Sequence, residues 1–113
     1  MTSQISAEPL TLINVFEIGA DGVDTFAAKW RERLDIMAAK DGFISAKLYR
    51  AASDDSRFQL VNVAQWASQA DFERAVSDPG FRQSEHSSAT DTAAPVRANP
   101  GLYRMVAERH NGE

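Results

Sequence analysis

Asn62 and Trp66 lie four residues apart in Phe58-Gln59-Leu60-Val61-Asn62-Val63-Ala64-Gln65-Trp66, a run dense in β-branched and aromatic residues. Such a run reads as a strand, and a side-chain period of two puts Phe58, Leu60, Asn62, Ala64 and Trp66 on one face. An amide and an indole therefore share an otherwise apolar face. A second amide, Asn14, occurs in the same setting in Leu10-Thr11-Leu12-Ile13-Asn14-Val15-Phe16-Glu17-Ile18, with Leu12, Phe16 and Ile18 beside it. Burying an unpaired amide costs about 1–3 kcal/mol, so two Asn in one apolar layer need partners or a polar cavity. Taken singly, each residue has a plain structural explanation: an amide bonded to backbone at a strand irregularity, or an indole that is core, as Trp30 reads. The coincidence of all three on one face points to hydrogen-bonding chemistry in a pocket between sheet and helices.

Other chemistries have little footing. The chain has no cysteine, which excludes disulfides and thiolate metal sites, and its two histidines, His86 and His110, have no second ligand at helical or hairpin spacing. No metal site is expected. No glycine-rich fingerprint follows a strand, so neither a dinucleotide nor a P-loop site is indicated. The net charge of −4 and the scattered placement of the twelve Lys and Arg argue against a nucleic-acid surface. Asp21 and the Asp54-Asp55 pair are turn carboxylates, and Lys29-Trp30-Arg31-Glu32-Arg33 reads as a solvated helical face.

The rest of the chain must hold those faces in place. Its 113 residues, 43% apolar and 25% charged, suit one globular domain with a genuine core and no span across a membrane. Residues 1–9 read as a flexible tail, 10–109 as a single domain and 110–113 as a second tail. The start carries no Lys or Arg, so no secretory signal is expected, and the cytoplasm is the default compartment. After the first strand, Gly19 to Gly22 is a turn with Asp21 as N-cap. Val23, Phe26, Ala27, Trp30, Leu34, Met37 and Ala38 then recur at three- and four-residue steps, an amphipathic helix that Gly42 closes with a left-handed cap. Phe43 to Ala51 is a second strand, joined by Ser53-Asp54-Asp55-Ser56 to the Phe58 strand. Ser68 with Asp71 resembles a capping box for a second helix carrying Phe72, Ala75 and Val76 inward. Asp78-Pro79-Gly80 interrupts it, a short helical turn is expected from Phe81 to about His86, and Ser87 to Pro95 is a loop long enough to act as a lid. Pro100-Gly101 then precedes a last strand predicted over Leu102 to Ala107.

The order β-α-β-β-α-β is the ferredoxin-like unit: an α+β fold with a four-stranded antiparallel sheet, helices on one face, first and third strands central. Ile13, Val15, Val61 and Val63 face the other side. At roughly 25 cal/mol per Å², leaving that patch wet is costly, which predicts a homodimer formed through the sheet face.

Val61-Asn62-Val63-Ala64-Gln65-Trp66-Ala67-Ser68, with Phe72 beyond, resembles the antibiotic biosynthesis monooxygenase family, and Asp41-Gly42-Phe43 and Asp78-Pro79 support the match. The resemblance covers almost the whole chain and implies a dimeric α/β barrel of ferredoxin-like units. It implies either cofactor-free oxygenases that convert polycyclic aromatic phenols or anthrones to quinones, or haem-degrading enzymes. The quinone-forming branch is the nearer local match. By that resemblance the partners are a small aromatic substrate and O₂, with no cofactor. Asn62 and Trp66 are catalytic: Asn62 bonds the substrate oxygen as it becomes an enolate or phenolate, and the Trp66 N–H steadies the carbonyl or a peroxy intermediate. Asn14, Phe16, Phe72 and His86 are substrate-binding candidates. Phe72 stands where that branch has a tyrosine, which leaves a non-catalytic small-molecule-binding or stress-response dimer as an alternative. For the haem-degrading alternative, Asn14, Trp66 and His86 correspond roughly, although His86 followed by Ser87-Ser88 looks more like an exposed loop histidine.

Overall fold

The computed structural model describes residues 8–80 and 96–112. The β-branched runs form strands and the three-to-four-residue periodicities form helices: β1 (Leu10–Glu17), α1 (Val23–Ala38), β2 (Phe43–Arg50), β3 (Phe58–Trp66), α2 (Gln69–Val76) and β4 (Arg97–Tyr103). The sheet is antiparallel with order β2-β3-β1-β4, so β1 and β3 are the central pair, as the ferredoxin-like order requires. In the β1–β3 register Asn14 faces Asn62, Leu12 faces Ala64 and Phe16 faces Leu60.

Both helices pack on the face that carries these residues. Val23, Phe26 and Trp30 of α1 join Phe16, Ile18 and Leu60 in one buried cluster. Ala75 of α2 joins Leu10, Ala64 and Trp66 in a second, with Phe43 and Phe72 packed against it. A shortest dimension of 19 Å corresponds to one sheet and one helical layer. No described helix is long and apolar enough to cross a membrane.

Two local details differ from the sequence reading. Asp21 does not cap α1: Ala20–Gly22 form a 3₁₀ turn, and the N-cap of α1 is Gly22, with no side-chain hydrogen bond. The last strand begins earlier than predicted, at Arg97, and ends at Tyr103, so Pro100 and Gly101 lie within it. Proline is tolerated there because β4 is an edge strand, where a missing N–H need not break a ladder on both sides. Met105 and Val106, read as part of that strand, lie beyond it and are exposed. The expected turn over Phe81 to His86 and the Ser87–Pro95 loop lie outside the described residues.

Gly42 and Ser68 tie the two halves together. Ser68 caps α2: its hydroxyl accepts from the Asp71 N–H at 3.2 Å and donates to Asp71 Oδ2 at 3.0 Å. Gly42, at φ +85°, sits against the Asp71 side chain, so an added Cβ would overlap that carboxylate. Its carbonyl also accepts from Ala67 N–H at 2.7 Å. The left-handed backbone alone costs a non-glycine residue about 1–2 kcal/mol. Gly42→Ala is therefore expected to lower the midpoint of thermal unfolding by roughly 4 °C or more. An unchanged midpoint in differential scanning calorimetry would show that this junction is not under constraint.

Candidate functional site

The two buried clusters leave a cavity of about 390 Å³ between them, within the range of roughly 300–1,000 Å³ found for small-molecule sites. Its floor is the sheet, with Leu12, Asn14 and Phe16 from β1, Asn62, Ala64 and Trp66 from β3, Phe43 and Ala46 from β2, and Ala98 and Pro100 from β4. Its walls are α1, through Trp30, Arg33, Leu34 and Met37, and α2, through Phe72 and Val76. The expected pocket between sheet and helices is present, and Asn14, Phe16, Asn62, Trp66 and Phe72 all line it. His86 lies outside the described residues.

The three polar groups on this floor differ in how they are satisfied. Asn14 Oδ1 accepts the Asn99 backbone N–H at 3.0 Å, beside Pro100, where β4 lacks a donor. Here the structural explanation holds: this amide ties an irregular edge strand to the central one. Asn62 is 8% exposed and Trp66 is 0% exposed, yet Asn62 Oδ1 and Trp66 Nε1 find no hydrogen-bond partner among the described residues. Leaving such groups unpaired costs about 1–3 kcal/mol each, a cost that folding alone does not require. Both residues line the cavity, and each carries a buried polar atom with no hydrogen-bond partner among the described residues.

Aromatic packing fixes the indole. Phe43 meets Trp66 edge-on at 5.4 Å between ring centroids and Phe72 does so at 5.8 Å, both within the range of favourable tilted pairs. Phe72 therefore supports Trp66 and supplies apolar wall, without a hydroxyl. Tyr49 and Tyr103, which could have offered a phenol, are about half exposed and do not line the cavity.

Arg33 was missed by the sequence reading, which placed it on the solvated face of α1. It is half-buried and lines the cavity, with its Nε closed off from solvent. Its place, three residues after Trp30 and four before Met37, was the available signal, because such residues are neighbours on a helix. Phe43 was also legible in principle, being the cross-strand partner of Trp66.

Among the described residues no group of three or more His, Cys, Asp or Glu side chains gathers as a metal site would need. The described residues do not fit haem either: they include no histidine at the cavity, and the Asn14 carbonyl is taken by Asn99.

The profile of the antibiotic biosynthesis monooxygenase family matches residues 9–87, and the chain belongs to that family. The fold is similar to that of a proposed monooxygenase from Shewanella loihica PV-4, with 33% identity and a TM-score of 0.75 over 89% of this chain and 97% of that one. It is also similar to SnoaB, a cofactor-independent oxygenase from Streptomyces nogalater, with 23% identity and a TM-score of 0.74 over 95% of this chain and all of that one. A SnoaB variant with an asparagine replaced by alanine gives 22% identity and a TM-score of 0.73. No curated protein matches the chain.

The contrast between the two amides is measurable. Asn62→Leu, which removes a buried amide whose carbonyl oxygen is unpaired, is expected to leave thermal stability unchanged or raised. Asn14→Leu, which strips the Asn99 N–H of its acceptor, is expected to cost about 0.5–1.5 kcal/mol in chemical denaturation. The reverse order of stabilities would mean that Asn62, not Asn14, is the structural amide.

Proposed function

We propose that this protein is a cofactor-independent monooxygenase that oxidises a polycyclic phenol or anthrone with O₂, and that it acts as a homodimer joined through the sheet face. The observation that carries this reading is that Asn62 and Trp66, whose buried Oδ1 and Nε1 have no partner among the described residues, line a cavity that, Asn14 and Arg33 apart, is otherwise apolar and aromatic. A flat, oxygenated aromatic fits that lining: its rings take the place of water against Phe16, Phe43 and Phe72, and its oxygen atoms meet the amide and the indole.

The chemistry follows from the surroundings. A phenol or anthrone that loses its proton becomes an electron-rich oxyanion, and a dry cavity with fixed dipoles stabilises that charge where it develops. In this reading the Asn62 carbonyl first accepts the substrate O–H, and its amide N–H then serves the oxyanion. The Trp66 N–H donates to the neighbouring carbonyl. The proton passes to water at the cavity mouth; the anion passes an electron to O₂, the resulting radicals combine as a carbon-bound peroxide anion, and water returns a proton to give the hydroperoxide. Loss of water from the hydroperoxide leaves a new carbonyl, so one oxygen atom enters the quinone, the other leaves as water, and all electrons come from the substrate.

The dimer rests on the opposite face of the sheet. Ile13, Val15, Val61 and Val63 form a half-buried apolar centre there, with Tyr49 and Tyr103 exposed on the same face. A second copy of this face is its natural cover.

Anthrone- and naphthol-type substrates in air should support oxygen uptake without added metal or haem. Removing a group that stabilises developing negative charge costs about 10²–10³ in turnover, and Asn62→Ala is expected to fall near that range and Trp66→Phe below it. Absence of uptake across the panel, with tight ligand binding retained, would make this a binding protein, as the missing hydroxyl at Phe72 allows. Sedimentation should give a dimer at micromolar concentration and a monomer for Val63→Arg; a monomeric wild type would refute the sheet-face pairing.

A further inference from the structure

Resting on the oxygenase reading of the same cavity, we propose that Met37 is a self-oxidation site: the hydroperoxide formed on the substrate converts its thioether to the sulfoxide, and this ends turnover. Met37 lines the cavity and packs against the buried cluster that contains Trp66. It carries the only sulfur among the described lining residues, and the chain has no cysteine to compete with it. It belongs to the α1 wall, whereas Asn62 and Trp66 belong to the sheet floor. In an anthrone the carbon that takes up O₂ lies across the central ring from the carbonyl. A carbonyl held at the floor therefore directs that carbon away from Asn62 and Trp66 and towards the helices. There a soft, polarisable thioether is the nucleophile that a hydroperoxide meets.

The step balances within the pair. The sulfur lone pair attacks the outer peroxide oxygen, an S–O bond forms as the O–O bond breaks, and the bonding electrons leave on the inner oxygen, which takes the outer oxygen's proton. Sulfur loses two electrons and the hydroperoxide gains two. The substrate leaves as an alcohol in place of the carbonyl product, and the wall keeps a sulfoxide. Oxidation turns a flexible apolar side chain into a polar one, which no longer suits an apolar ring system. A second methionine supplies the comparison. Met105 lies beyond β4, 70% exposed and outside the cavity lining. Peroxide in bulk solvent reaches Met105 first, whereas peroxide made in the cavity reaches Met37 first.

The test follows oxygen uptake through repeated additions of an anthrone in air, with catalase present to remove free hydrogen peroxide, and then weighs the peptides by mass spectrometry. Met37 is expected to gain one oxygen in step with the loss of rate while Met105 stays reduced. Hydrogen peroxide added without anthrone or catalase should reverse that order. Asn62→Ala in the same anthrone solution, turning over slowly, should keep Met37 reduced, which separates catalysis from spontaneous oxidation of the anthrone. Met37→Leu, similar in volume but without sulfur, should consume several-fold more oxygen before it stops, measured against its own initial rate. A reduced Met37 after prolonged uptake, equal oxidation of the two methionines, or a Met37→Leu variant that stops as early as the wild type would overturn the role of Met37 and leave the oxygenase reading standing. Absence of oxygen uptake from the start would overturn the oxygenase reading itself, and the self-oxidation inference with it.

Discussion

The cavity is organised around an amide pair at the centre of the sheet. Asn14 and Asn62 face each other across the two central strands, one step from the apolar pair Phe16 and Leu60 and one step from Leu12 and Ala64. Two carboxamides at that point keep the sheet's inner face from being covered by a continuous apolar layer. The buried residues divide accordingly into one cluster under α1 and another beside α2, and the cavity occupies the gap. Asn14 resolves its own polarity by holding the edge strand. Asn62, with no such neighbour among the described residues, keeps an acceptor in reserve, and Trp66 keeps a donor two side-chain positions along the same face. A protein selected for stability alone would fill this space with methyl groups; the unpaired atoms are a cost that a ligand can offset.

The surrounding structure holds that cost in place. Trp66 is wedged edge-on between Phe43 and Phe72, and the junction of Gly42, Ala67 and the Ser68 cap fixes the end of β3 to the start of α2. On β3's other face, Gln59 is almost fully buried and its Nε2 donates to the carbonyls of Ser53 and Ser56, bracing the β2–β3 hairpin. The indole therefore has little freedom to turn away and find a partner elsewhere. Rigid support of this kind lets fixed dipoles act on charge without first reorganising.

Much of this was legible in the sequence because it is local. The β-branched and aromatic runs of β1 and β3, the stripe from Val23 to Ala38, the Ser68 cap and the left-handed Gly42 each depend on neighbours within a few residues. What was not legible depends on distant ones. Pro100-Gly101 looks like a strand breaker until β4 is known to be an edge strand paired with β1. Asn14 looks identical to Asn62 until Asn99, far along the chain, is seen to take its carbonyl. Arg33 sits at the margin of the α1 stripe, and only the packing of α1 over the sheet decides that it borders a cavity rather than water alone. Tyr49 and Tyr103 could be set aside as pocket phenols only once their cross-strand partners were known.

The central claim is that Trp66 Nε1 is held in reserve for an oxygen atom of an aromatic ligand. The chain has two indoles, so its two side-chain N–H resonances can be assigned with a Trp30→Phe variant and followed as a naphthol is added. A saturable downfield movement of the Trp66 indole resonance, lost in Asn62→Leu, is the result the structure predicts. A Trp66 resonance that stays fixed while the naphthol binds, as judged by titration calorimetry on the same sample, would contradict it.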